Sequence, residues 1–161
     1  PGLEVQLHPQ GFTDRDNHIG LYDPVRNRID LLGYQRAGAA GPVFKIPMNE
    51  PLYASFVVHE VAHAVVARHL PVGLRALLAH EYVAYVAQLA SLPPALRAQV
   101  FDAYPLEGFG NTREISLTYY QLAPCAFGVK AFLHFQGLPD QRGFMQRLLA
   151  GAITLPAAAP E

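Results

Sequence analysis

The run His59-Glu60-Val61-Ala62-His63 sets two imidazoles four residues apart, with a carboxylate beside the first. On a helix that spacing puts both histidines on one face, one turn apart. They can then reach one tetrahedral metal ion, at about 2.0–2.1 Å each for zinc. Glu60 points to the flank of that ion. From there it can take a proton from an activated water and pass it to a leaving amine. Zinc lowers the pKa of such a water to about 7, so a carboxylate suffices as the base. A string with three fixed positions also arises by chance, and seven histidines in 161 residues raise that rate. The surroundings favour the metal. Phe56, Val57, Val58, Val61, Val65 and Val66 flank the string, so its polar groups face burial and need partners. The competing reading is a pair of hydrogen-bonded core histidines.

A third ligand must come from elsewhere. His69 follows His63 by six residues, but a continuing helix turns it about 240° away. The spacing from His59 to His69 resembles that of metzincins, but there a Gly stands at the position of Val66 and lets the chain reverse, whereas the branched side chain of Val66 resists a positive φ. Glu81 fits better. Pro71 and Gly73 end the first helix near Leu70, and a second runs from about Leu74. In an antiparallel hairpin, His63 and Glu81 then stand at about the same height, roughly 10 Å from the turn at 1.5 Å per residue. Ala84 and Tyr85 share the face of Glu81, and Ala84 allows close approach. His80 is the neighbouring alternative, rotated by about 100°.

His59-Glu60-Val61-Ala62-His63, followed by Glu81 in His80-Glu81-Tyr82-Val83-Ala84, resembles the gluzincin arrangement of thermolysin-like and aminopeptidase-N-like metallopeptidases. Those families take the third ligand from the next helix, in Asn-Glu-x-x-Ala/Ser. Here Glu81 and Ala84 match, and His80 replaces the Asn. The resemblance covers about residues 50 to 90. The chain is also similar in size to small bacterial zinc-binding proteins of unknown function that carry the same core. The resemblance implies one zinc ion on His59, His63 and Glu81, Glu60 as general base, and hydrolysis of a peptide or protein substrate. It also implies an electrophilic donor from a later helix, for which Tyr120 is preferred over Tyr119, His134 and Arg113. A substrate strand is expected to pair with the hairpin at Ile19 to Leu32. The alternative function is a non-catalytic zinc-binding or interaction domain that keeps the zincin core.

The elements that position these groups are legible in outline. Leu3 to Leu7 alternates as a half-buried strand does. Ile19 to Leu32 reads as a hairpin, with Asp23-Pro24 starting the turn and Asn27 closing it. Gly38 to Pro42 reads as a flexible loop, and Gly38 to Pro47 offers a flap over the site. Asn49 is the expected N-cap of the first long helix, with Pro51 in its first turn. The second helix should stop at Leu92 before Pro93-Pro94, and a short one should cover Pro94 to Tyr104. Leu106 to Gly110 reads as loop. Asn111 or Thr112 should cap a third long helix that Pro124 kinks or breaks before Ala126 to Phe135. A last helix is expected over Asp140 to Ala150, then a frayed tail from Pro156. The expected class is α+β: a small antiparallel sheet over 1–47, then helices over 48–155, in a single minimal zincin-like domain.

Composition excludes several classes. Hydrophobic residues make up 51% and charged ones 16%, so the chain should fold. A net charge of −1 gives no electrostatic case for nucleic acid, and no basic run suggests an anionic membrane. No stretch offers the roughly 20 uninterrupted apolar residues of a membrane span. One cysteine, Cys125, rules out an intrachain disulfide and a Cys-rich zinc site. The start at Pro1, without an initiator Met, suggests either a trimmed chain or a mature form whose signal segment was removed, and the second alternative would make the location periplasmic or secreted.

Overall fold

A computed structural model describes residues 2–12, 18–71, 73 and 76–155. The expected start of the second helix at Leu74 and the expected tail lie outside the described residues. The fold is α+β, and the described residues form a three-stranded sheet followed by seven helices.

Strands β1 (Glu4–His8), β2 (Gly20–Asp23) and β3 (Arg28–Leu32) lie in the order β1-β3-β2. β2 and β3 form the expected antiparallel hairpin. Asp23 Oδ1 accepts from the backbone N–H of Val25 and Arg26 at 2.9 and 3.0 Å, and Asn27 takes the left-handed φ of 49° that such a turn requires. β1 departs from expectation in two ways. It pairs with β3 in parallel, so the sheet is mixed and not antiparallel. Its apolar positions are also uncovered, with Val5 54% and Leu7 59% exposed. The first long helix packs on β2 and β3 and leaves this outer strand bare.

Helix α1 (Tyr34–Ala39) occupies part of the stretch read as strand and loop, and includes Gly38. The following segment is pinned. A tight turn pairs Val43 with Ile46 through both backbone hydrogen bonds, at 3.0 and 2.9 Å. It holds Phe44 and Lys45 at φ of 52° and 58°, which costs free energy for residues with a Cβ. Burial of Phe44 in the core and a 2.9 Å hydrogen bond from Lys45 Nζ to the Ala103 carbonyl offset that cost.

Helix α2 (Glu50–Ala67) starts as its residues dictate. Asn49 Oδ1 accepts from Leu52 N–H at 3.0 Å, and Pro51 sits in the first turn. Helix α3 (Leu77–Ser91) returns antiparallel to it: Ser55 meets Gln88, His59 meets Glu81, and Leu70 meets His80. Helix α4 (Pro94–Ala103) follows. The expected third long helix is absent. Asn111 caps only a single 3-10 turn, Thr112–Glu114. Ile115, fully buried, breaks away in extended conformation, and Ser116 restarts the chain as N-cap of α5 (Leu117–Leu122). Ala123 is forced out of the helical region by the proline after it, and α6 (Pro124–Gly137) begins there. Helix α7 (Gln141–Leu149) is capped by Asp140.

Helices α3 and α6 carry the centre of the molecule. One apolar cluster gathers Leu78, Tyr82, Phe127 and Leu148, the other Phe44, Leu52, Leu89 and Phe132. Tyr85 packs against both. Among the described residues no helix is long and apolar enough to cross a membrane.

Candidate metal centre

The α2/α3 hairpin brings His59, His63 and Glu81 together. Each offers one ligand atom, and these atoms lie within 4.8 Å of one another. His59 Nε2 stands 3.7 Å from Glu81 Oε2, and His63 Nε2 stands 3.6 Å from Glu81 Oε1. Both separations exceed a hydrogen bond. Two atoms sharing a tetrahedral zinc at about 2.05 Å would lie roughly 3.3 Å apart, so the spacing suits a cation.

The tautomer of His59 follows from its neighbours. Gln88 Oε1 lies 2.9 Å from His59 Nδ1, and Gln88 Nε2 donates to Ser55 Oγ at 3.2 Å. Ser55 Oγ in turn donates to the Leu52 carbonyl at 2.6 Å. With the amide oriented by Ser55, His59 Nδ1–H is the donor and Nε2 presents a lone pair to the centre. Gln88 and Ser55 were not singled out in the sequence. Their signal was there, since Ser55 is one turn before His59 and Gln88 two turns after Glu81, both polar in apolar helices.

Burial governs the charges. It lowers His59 to about 4 against the Gln88 hydrogen bond. It lowers His63 to about 3, helped by the neighbouring His59 and His80. Both imidazoles are therefore neutral at pH 7, the state a metal needs. Burial raises Glu81 to about 7, opposed by a hydrogen bond from the Tyr120 hydroxyl. Glu60 rises to about 8 through burial and then the charge of Glu81, opposed by the Tyr22 backbone N–H.

Glu60 lies under β2. A Cβ on Gly20 would stand 2.7 Å from Glu60 Cγ, so only glycine lets the strand approach the carboxyl this closely. Leu32 N–H donates to the Ile19 carbonyl, so Ile19 and Leu21 face β3 while Gly20 and Tyr22 face outward. That outward edge borders a cavity of about 470 Å³, also lined by His59, Glu60, His63, Glu81, Tyr85 and Tyr120. Tyr120 lines this cavity and is turned to Glu81 there.

The other candidates are not among the clustered ligands, although His80 lines the same cavity. His69 is exposed. His80 Nε2 donates to the Leu70 carbonyl at 2.8 Å and its ring stacks on His63, but it is not one of the three clustered ligands. His134 Nδ1 shares a 2.7 Å hydrogen bond with the Tyr82 hydroxyl, and His134 does not line the cavity. Tyr119 packs on Phe109 and Arg113 is exposed. No curated protein and no solved structure matches the chain. Over residues 2–158 it matches DUF6639, a family of unknown function, and it belongs to that family.

Proposed function

We propose that the chain is a minimal gluzincin-like hydrolase that cleaves peptide bonds with one zinc ion held by His59, His63 and Glu81. The observation that carries this reading is the pairing of a metal-sized His59/His63/Glu81 cluster with an adjoining cavity. Among the described residues no fourth metal ligand joins the cluster, and Glu60 lines the same cavity. A structural zinc site would be closed by four protein ligands. Bound there, zinc would supply a Lewis acid that acidifies water and polarises a carbonyl. Glu60, in its ionised form, would take a proton from water in the cavity and deliver it to the leaving amine. Gln88 orients His59, and Tyr120 holds the Glu81 carboxylate. The outward edge of β2, at Gly20 and Tyr22, is the place for an extended substrate to pair.

Zinc content and cleavage of a broad peptide library test this. Wild type should carry one zinc and turn over, His59→Ala should lose the metal, and Glu60→Gln should keep it and lose cleavage. A Glu60→Gln variant as fast as wild type would remove Glu60 as the base.

One observation favours the second reading, a zinc-binding domain without turnover. The Tyr22 N–H that a paired substrate needs is turned to the Glu60 carboxyl, which it favours in the charged form. That reading expects bound zinc, no cleavage, and loss of folding stability on chelation.

A further inference from the structure

Tyr85 stands one helical turn beyond Glu81, and its ring is enclosed on several sides. His59 meets it edge-on with centroids 4.8 Å apart, Phe127 lies at 6.1 Å and Phe44 at 6.3 Å. Helix α6 places Gly128 against the ring, where a Cβ would come within 2.4 Å of Tyr85 Cδ1. The absent side chain forms the slot that the ring fills.

The hydroxyl differs from those of the other inward tyrosines. Tyr82 is bonded to His134, Tyr53 donates to the Leu32 carbonyl at 2.6 Å, and Tyr120 is turned to Glu81. The Tyr85 hydroxyl has no hydrogen-bond partner among the described residues, and it is not sealed in a dry wall. Tyr85 is one of the cavity-lining residues, and its hydroxyl feels the carboxyl groups of both Glu81 and Glu60. A fixed ring carrying an unused donor beside the proposed base and ligand is preorganised to meet an acceptor that arrives from outside.

We infer that Tyr85 is a further catalytic residue, donating a hydrogen bond to the oxygen of the substrate carbonyl under attack and to the negative charge that develops there. This rests on the reading of the cavity as the reaction site of a peptide hydrolase. Tyr120, committed to Glu81, is then a positioning residue.

The test titrates zinc-loaded wild type and Tyr85→Phe with a phosphinic dipeptide, which mimics the tetrahedral state, and measures zinc content on each sample. Phe keeps the ring and its packing, so melting and zinc content should match wild type. Probe affinity should fall about 10- to 100-fold, the usual loss for a hydrogen bond to a charged oxygen. Gly128→Ala, which must shift the ring, should weaken the probe in the same direction. If Tyr85→Phe binds both zinc and probe as wild type does, the residue is only cavity wall and the proposal is wrong. If it loses zinc as well, the hydroxyl serves the metal ligands and the proposal is equally overturned. If wild type itself takes up no zinc, or zinc but no probe, the hydrolase reading fails and the donor role falls with it.

Discussion

The pH dependence of zinc binding discriminates sharply between this buried site and an ordinary pair of histidines. In the folded, metal-free chain His59 and His63 titrate at about 4 and about 3, so neither carries a proton between pH 5 and 7. Glu81, raised to about 7, carries one over most of that range. Binding must displace it, and affinity therefore falls as pH drops through the folded pKa of Glu81. Glu60→Gln provides the cleanest background, because it removes the second raised carboxyl. From pH 7 to 5 the affinity of that variant should fall about 50-fold, with about one proton released per zinc at pH 5. Histidines at their ordinary 6.5 and a glutamate at 4.5 would instead give a fall of about 800-fold and a release of about two protons. Wild type should release up to one proton more than the variant, from Glu60. Competition with a chelator gives the affinities, and calorimetry in buffers of different ionisation enthalpy gives the protons. Release of two protons at pH 5 by Glu60→Gln would refute the reasoning, since it would mean that the histidines ionise freely in the folded chain.

Two further perturbations probe how the site is held. Gln88→Leu removes the acceptor that fixes the His59 tautomer, so zinc affinity should fall about 10- to 100-fold by chelator competition; an unchanged affinity would make that hydrogen bond incidental. Gly20→Ala brings a methyl to 2.7 Å from Glu60 Cγ while leaving all three ligands untouched. Peptide cleavage should drop about 100-fold with zinc affinity retained, and loss of zinc instead would mean that β2 supports the ligands and not the base.

The helical part of this arrangement was legible because it is local. Asn49, Pro51, Pro71 and Pro93-Pro94 punctuate the chain, and counting residues from the turn placed Glu81 opposite His63. What escaped was set by contacts between distant segments. β1 alternates like a half-buried strand, yet whether anything covers Val5 and Leu7 depends on where α2 docks. The third long helix was expected from Asn111 onward, but burial of Ile115 outweighs local helix continuation. In sequence Gly20 is one position of the hairpin from Ile19 to Leu32. Its purpose appears only when the strand lies on Glu60, forty residues later in the chain. Likewise the sequence could name Tyr119, Tyr120 and His134 as donors without knowing which reach the cavity, and it passed over Tyr85 as a neighbour of Glu81.

The competing reading of the two histidines, as satisfied core residues, meets a physical difficulty. A satisfied core histidine makes hydrogen bonds at both ring nitrogens. His59 does so at Nδ1, but its Nε2 and that of His63 approach Glu81 only to 3.7 and 3.6 Å. With His59 neutral and its Nδ1 the donor, its Nε2 sets a lone pair against a carboxylate that would be charged but for its burial. A second carboxyl, Glu60, adds to the repulsion. Protons relieve it in the metal-free chain, at the cost of holding two carboxylic acids far above their ordinary range. A divalent cation among the three ligand atoms relieves the same conflict without protonating either group, and its charge would return Glu60 to the ionised form that a base requires. The arrangement that looks electrostatically frustrated in the bare protein is thus the one a buried cation site needs.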